Sequence, residues 1–413
     1  MPERDILHVD QNCFFASVEM QSHPEWRDIP MAVGGDSKLR HGIILAKNRL
    51  AQACGVKTAE ALWQAKQKCP DLLVVPAHFD RYVYFSERIR EMFLQYTDKV
   101  EPFGLDECWL DVTGSTYGTP RQIADEIRER VKSELGLSCS VGVSFNKTFA
   151  KLGSDYKKPD ATTEITRENF KEIVWPLPVS DLLYVGRATT AAFAKMNVKT
   201  IGDLAALSPD FVLSAMDKNG YSLWRCANGD DESPVMPANY TREMKSIGNS
   251  TTTPRDMMDR NDVKKVIASL SAQVASRLRK HHYRAGTVTI WVRDTDLQSY
   301  EKQRSLISET NDEKDIAALA MELFDESYDW HAPIRSLGVR TTNLSDESAM
   351  RQMTIFENYE KIQKEDKVNS ALDTIRARYG YDVVLRGRQL EGKGDLIEKG
   401  REDHPHGGFR EDL

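Results

Sequence analysis

At 413 residues the chain is too long for one hydrophobic core, and its 40% hydrophobic content suits folded domains rather than disorder. No apolar run reaches the ~18–20 residues of a membrane helix, and charges interrupt MPERDILHVD before a secretory signal core can form, so a cytosolic protein without membrane attachment is expected. A net charge of −7 counts weakly against nucleic acid as a partner but says nothing of a local basic face.

Residues 6–9 form a short apolar run suited to a buried strand, and 12–20 read as a helix. Residues 31–33 are a strand ended by Gly34-Gly35. Residues 42–45 are another, leading into a helix over 48–54 that Gly55 stops. A helix over 59–68 closes at Pro70. A strand follows at 72–75, then a long amphipathic helix at 80–96. Residues 100–103 and 108–112 flank Gly104-Leu105-Asp106-Glu107, which reads as a hairpin with an acidic pair at its turn. Pro120 opens a helix that Gly136 closes, and 139–143 is a strand. Strands and helices mix without strict alternation, which favours α+β over a doubly wound fold.

Composition changes at Trp175-Pro176-Leu177-Pro178. Up to Ala238 the chain reads as helical. Within it LLYVGRATTAAFAKMNVKTIGDLAAL has the helix, glycine turn, helix form of a helix-hairpin-helix. Such a hairpin can offer backbone N–H groups to a DNA phosphate, although an ordinary helical hairpin has the same signature. Ser233-Pro234 opens a linker to Tyr240. A further unit follows, with helices over 263–280 and 315–328 and strands over 287–292 and 334–341, a small α/β sandwich. Arg277, Arg279, Lys280, Arg284, Arg293, Lys302 and Arg304 make a stretch with few acids, either a basic face or solvated helix charges. The Gly- and charge-rich tail after Arg386 is expected to be disordered. None of the six cysteines forms a CxxC pair and no His lies at zinc spacing, so structural zinc is not expected.

The chemistry rests on Asp10, Asp106 and Glu107. Singly, Asp10 suits a cap for the following helix, and Asp106-Glu107 suits ordinary turn chemistry. Jointly, three carboxylates brought from two strand-like segments would repel unless one took a proton or a cation came between them. Mg²⁺ suits such oxygen ligands together with substrate phosphates. Two ions about 3.5–4 Å apart can clamp the attacking and leaving oxygens of a nucleotidyl transfer.

Three stretches in this order, HVDQNCFFASVE, GLDECWLDVT and SVGVSFNKTFAKLGSDYKKPD, resemble the signatures of Y-family translesion DNA polymerases, close to the DNA polymerase IV branch. The likeness runs from residue 6 to about residue 385. It implies an α+β right-hand polymerase with a palm (1–35 and 78–167), fingers (36–77) and a helical thumb with a helix-hairpin-helix (168–238). An α/β little finger (239–346) and a C-terminal extension (347–413) would complete it.

By position the resemblance makes Asp10, Asp106 and Glu107 the catalytic, metal-binding acids for two Mg²⁺, with the main-chain carbonyl of Gln11 as a further ligand. Phe15 becomes the steric gate against a ribonucleotide 2′-hydroxyl. Cys13 and Phe14 offer main-chain N–H groups to the triphosphate, and Lys158 its ammonium.

The chain departs from the family pattern in two places. Gln11-Asn12 stands where relatives carry Met-Asp or Phe-Asp. The family's ANYxAR segment reads AKNRLAQ, so that Arg49 falls at the Tyr position and Gln52 at the Arg position. Arg49 or Lys47 would then supply the missing charge. Gln352, Ile355 and Phe356 resemble a QxxLF-type peptide for the sliding clamp (beta subunit).

The implied activity is low-fidelity translesion synthesis by a monomer on primer-template DNA with deoxynucleoside triphosphates. Two other readings are a non-enzymatic relative that bridges the clamp to another polymerase, and a nucleotidyl cyclase with a palm-like acid cluster. The first is expected to lack the acids. The second has no need of a thumb, a basic last domain or a clamp peptide.

Overall fold

The computed structural model describes residues 4–35, 42–347, 359–379, 383–384 and 396. They form two compact units, one of residues 4–35 and 43–241, the other of residue 42 and those from 242 onward.

The first unit opens with β1 (Ile6–Gln11), α1 (Phe14–Ser22), β2 (Met31–Gly34), β3 (Ile44–Lys47), α2 (Arg49–Ala53), α3 (Leu62–Lys68) and β4 (Leu73–Val75). It continues with α4 (Phe79–Phe93), β5 (Val100–Phe103), β6 (Glu107–Asp111), α5 (Pro120–Leu135), β7 (Cys139–Ser144), α6 (Lys147–Tyr156) and β8 (Thr162–Ile165). The main sheet runs β5-β6-β1-β7-β8, with β1 antiparallel to both β6 and β7.

Strand β1 is buried along its whole length, so the two-residue side-chain period decides which residues reach the site. Leu7 and Val9 face a core shared with Val18, Ile89, Phe93, Ile123 and Ile127. Ile6, His8 and Asp10 face the other way, where Ile6 packs with Trp109 and Ala150. Helix α6 lies directly on that second face because β7 carries Gly142. A Cβ there would overlap the Ala150 carbonyl oxygen.

A second sheet, β3-β2-β4, pairs β2 antiparallel with β3 and parallel with β4. Asn48 fastens α2 to it. Its side chain accepts from Ala51 N at 2.9 Å and donates to the Ile29 carbonyl at 2.7 Å. The helical part of the unit comprises α7 (Phe170–Ile173), α8 (Arg187–Lys195), α9 (Ile201–Ala205) and α10 (Pro209–Ala227) around Phe170, Phe193, Ile201 and Leu204. Here the structure corrects the hairpin expected from sequence. Residues 182–185 form a turn rather than a first helix, and Gly186 is the N-cap of α8, so the helical pair is α8 and α9.

The second unit comprises β9 (Ser246–Met257), α11 (Arg260–Lys280), β10 (Tyr283–Asp294), β11 (Ser299–Thr310), α12 (Glu313–Ser327), β12 (Ile334–Asp346) and α13 (Tyr359–Tyr379). Its antiparallel sheet runs β11-β10-β12-β9, against which α11 and α12 pack. The two outer strands escape sequence reading. SIGNSTTTPRDM and SYEKQRSLISET lack an apolar alternation, as solvent-facing edges do, and Pro254 is tolerated at an edge. Helix α13, also unforeseen, is tied to the unit by Asn369 on Asp312 and by Arg279 on Asp373 at 2.6 Å. Both the clamp-like residues Gln352, Ile355 and Phe356 and the tail after Arg386 that was expected to be disordered fall outside the described residues, save Leu396.

Candidate catalytic carboxylate site

Register brings the acids together. Asp10 and Glu107 are cross-strand partners on β1 and β6, so their side chains share the face covered by α6. Gly104, with φ +81°, turns the hairpin, and the Asp106 carbonyl accepts from Gln11 N at 3.0 Å. Glu107 is the first residue of β6 rather than part of the turn.

Asp10 does not cap α1. The N-cap is Cys13, in the left-handed region and without a side-chain cap bond. Asp10 instead accepts from Lys158 Nζ at 2.7 Å, and Lys158 also pairs with Asp155 at 2.6 Å. Glu107 is met by the Lys151 ammonium and lies 3.2 Å from His8 Nε2. Among the described residues no three His, Cys, Asp or Glu side chains already stand as a metal cage. Lys158 and Lys151 pair with Asp10 and Glu107.

Burial, partly offset by Lys158 and reinforced by Glu107, pushes the Asp10 carboxyl up to about 7. Burial, with Glu107 close by, raises Asp106 to about 6. Burial acts on Glu107 too, but His8 and Lys151 outweigh it and hold that carboxyl at about 2. Burial likewise lowers His8, favouring the neutral ring. Although burial opposes its charge, Lys158 is raised by Asp10 and Asp155. Three hard oxygen donors, two of them poorly compensated when ionised, fit a divalent cation.

Beside the acids, α1 places Phe15 flat on Tyr82, with ring centroids 4.3 Å apart and planes 12° from parallel. Phe79 meets the Phe15 ring edge-on at 5.9 Å. Tyr82 is fixed by its hydroxyl on buried Glu19, which also takes Arg81 and His78, each at 3.0 Å.

Burial raises the Cys13 thiol, while Lys47, Arg49 and Lys158 pull it down. The charges of those three cations are therefore felt at the start of α1. Arg49 is the exposed first residue of α2, and Gln52 is exposed one turn on. Sequence reading missed His8, Lys151, Ser154 and Asp155. A signal for His8 was present, since it stands two residues before Asp10 and so shares its face of β1. The α6 residues lie within the SVGVSFNKTFAKLGSDYKKPD stretch, but nothing local marks them as facing the acids, because the glycine contact that seats that helix is tertiary.

The basic stretch of the second unit is partly engaged. Lys302 and Arg304 both pair with Glu326, and Arg340 with Glu301. No helix among the described residues is long and apolar enough to cross a membrane.

Residues 9–155 match the impB/mucB/samB family, and residues 244–355 match the C-terminal domain of that family. The chain is 48% identical to a DNA polymerase IV of Acetivibrio thermocellus over 394 residues, 95% of this chain and 99% of that one. It is 34% identical to a DNA polymerase IV of Clostridium acetobutylicum, over 94% and 98% of the two chains. A DNA polymerase IV 1 of Bacillus subtilis is 35% identical over 94% of each chain. Among solved structures, a Y-family DNA polymerase chimera superposes with a TM-score of 0.72 at 22% identity, covering 82% of this chain and 99% of that one. That likeness shows the fold, and the sequence matches show the lineage: the chain belongs to the impB/mucB/samB family, among its DNA polymerase IV members.

Proposed function

We propose that the chain extends a primer 3′-end by template-directed nucleotidyl transfer at Asp10, Asp106 and Glu107. As a member of this family it is a DNA-directed DNA polymerase of the low-fidelity, translesion kind, dependent on divalent metal and acting on DNA and nucleotides. The observation that carries the site is the cross-strand pairing of Asp10 with Glu107, with Asp106 joined to the same edge through Gln11 N.

The residues divide the work. Asp10, Asp106, Glu107 and the Gln11 carbonyl would hold two Mg²⁺. Bound there, the ions supply the positive charge that favours an ionised 3′-hydroxyl and a leaving pyrophosphate. The uncapped N–H groups at the start of α1, with Lys47, Arg49 and Lys158, draw the triphosphate to that end of the helix. Phe15, backed by Tyr82, presents a rigid ring to the sugar. Lys151 and Lys158 neutralise the acids until substrate arrives, and then exchange carboxylate for phosphate.

The uncapped start of α8 at Gly186 and the basic edge of the second unit are assigned to DNA phosphates. Exposed ion pairs such as Arg304–Glu326 are weak in water and yield to phosphate. We assign residues 352–356 to a sliding clamp, with Phe356→Ala expected to abolish clamp affinity, and place the working enzyme in the cytoplasm as a monomer.

Primer extension with Mg²⁺ tests the reading. The intact chain should add nucleotides in template order, and Asp106→Ala should reduce extension by several orders of magnitude. Equal extension by the two would remove this site from the chemistry.

A further inference from the structure

His8 has no part in the function just described, yet it is wholly buried beneath it. Its ring sits edge-on to Trp109, with centroids 5.0 Å apart. Nδ1 is 2.8 Å from the Ser154 hydroxyl on α6, while Nε2 lies 3.2 Å from Glu107 Oε2 without forming a hydrogen bond to it or to any other group. Ser154 reaches the ring only because Gly142 and Gly153 let α6 and β7 touch backbone to backbone.

The protons are constrained. The Ser154 hydroxyl has one proton, and both the Lys151 carbonyl and His8 Nδ1 lie 2.8 Å from it. Sending it to the carbonyl obliges Nδ1 to carry its own proton, and a neutral ring would then face Glu107 with a lone pair. Sending it to Nδ1 puts the ring proton on Nε2, 3.2 Å from the carboxylate and one small rotation of Glu107 from a hydrogen bond. Full burial disfavours the doubly protonated ring, so the second arrangement is the one without a buried repulsion.

We propose that His8 is a positioning residue for Glu107: the Ser154 hydroxyl donates to Nδ1, and once Lys151 has withdrawn from Oε2 the carboxylate turns to accept from Nε2–H, so that the wedged ring fixes its rotamer. The inference rests on Glu107 being a metal ligand. Partners in this outer layer tune affinity without touching the ion.

The test uses the full chain with primer-template and nucleotide. Free Mn²⁺ is measured by its electron paramagnetic resonance signal, and kcat and KM come from single-nucleotide incorporation. His8→Leu should weaken Mn²⁺ binding ~10–100-fold and lower kcat while leaving the nucleotide KM within about twofold. His8→Gln, which keeps an N–H donor, should recover most of both. In ¹⁵N spectra of histidine-labelled protein, the resonance lost in His8→Gln should report Nε2 protonated and Nδ1 bare.

Wild-type Mn²⁺ affinity in His8→Leu, or a His8 protonated on Nδ1 alone, overturns the proposal. If His8→Leu does not fold, Ser154→Ala serves instead. It should shift the ¹⁵N pattern and weaken Mn²⁺ several-fold, and no change in either overturns the proposal. Unaltered Mn²⁺ affinity in Glu107→Gln would instead sink the parent reading of the metal site.

Discussion

Lys158 Nζ donates to Asp10 Oδ2 at 2.7 Å, joining residues 148 positions apart in sequence. The family resemblance casts this lysine as a triphosphate ligand, whereas here it neutralises an acid of the proposed metal site. The two roles are compatible if the ammonium changes partner as substrate binds. Lys158→Met should then raise the nucleotide KM ~10-fold or more, the worth of a charged hydrogen bond of ~1.5–3 kcal/mol. Lys158 also lowers Asp10, so the same variant should move the acid limb of the pH–rate profile upward. A profile that does not move would separate Lys158 from Asp10.

Metal binding should depend on pH in a set direction. Asp10 and Asp106, at about 7 and about 6, bind protons that a cation must displace. Apparent Mn²⁺ affinity should rise from pH 6 to pH 8 and level off above. The folding linkage has the opposite sign. These folded values lie above the ordinary carboxylate range, so their contribution to stability is present below about 4 and lost as pH rises through about 7. Melting of the metal-free protein across that window, with and without Mg²⁺, checks both signs, since Mg²⁺ should suppress the loss.

Phe15 is held by stacking, so shortening it should open space without unfolding α1. Phe15→Val should raise ribonucleotide incorporation relative to deoxyribonucleotide by ~10–100-fold, the equivalent of relieving an overpacking of ~1–3 kcal/mol. Competing ATP against dATP opposite template T measures it. Tyr82→Ala should give a smaller rise by loosening the ring.

The proposed triphosphate grip distinguishes two neighbours. Arg49 contributes charge at Cys13, and Gln52 does not. Arg49→Ala should raise the nucleotide KM ~10-fold, while Gln52→Ala should stay within about twofold. Equal effects would argue that α2 acts through its fold alone.

Gln11 buries both polar atoms of its side chain without a partner. An unsatisfied amide costs ~1–3 kcal/mol. Gln11→Met, the residue type the family pattern carries there, should therefore raise the melting temperature by ~2–4 °C per kcal/mol relieved, and its backbone carbonyl stays where it is. A lower melting temperature would show that the amide has a partner in solution.

Much of this was legible in the sequence. An apolar run ending in Asp10, a glycine hairpin ahead of Glu107 and helices bounded by Pro120 and Gly136 are local signals, set by two-residue and 3.6-residue periods and by turn sterics. The outer strands of the second unit were not legible, because a solvent-facing edge needs no apolar alternation. The hairpin around Gly186 misled, since a glycine that caps one helix looks in sequence like a turn between two. What the chain order alone determined was the lineage, the α+β plan and which acids to propose for the site. The tertiary structure decided the register that sets Asp10 opposite Glu107, the glycine contact that seats α6 on β7, and so the placing of Lys151, Lys158, Ser154 and His8 around one buried and one half-buried carboxyl. Those contacts join residues far apart in the chain. Their energies depend on burial and on neighbouring charge, and neither exists until the sheet has closed.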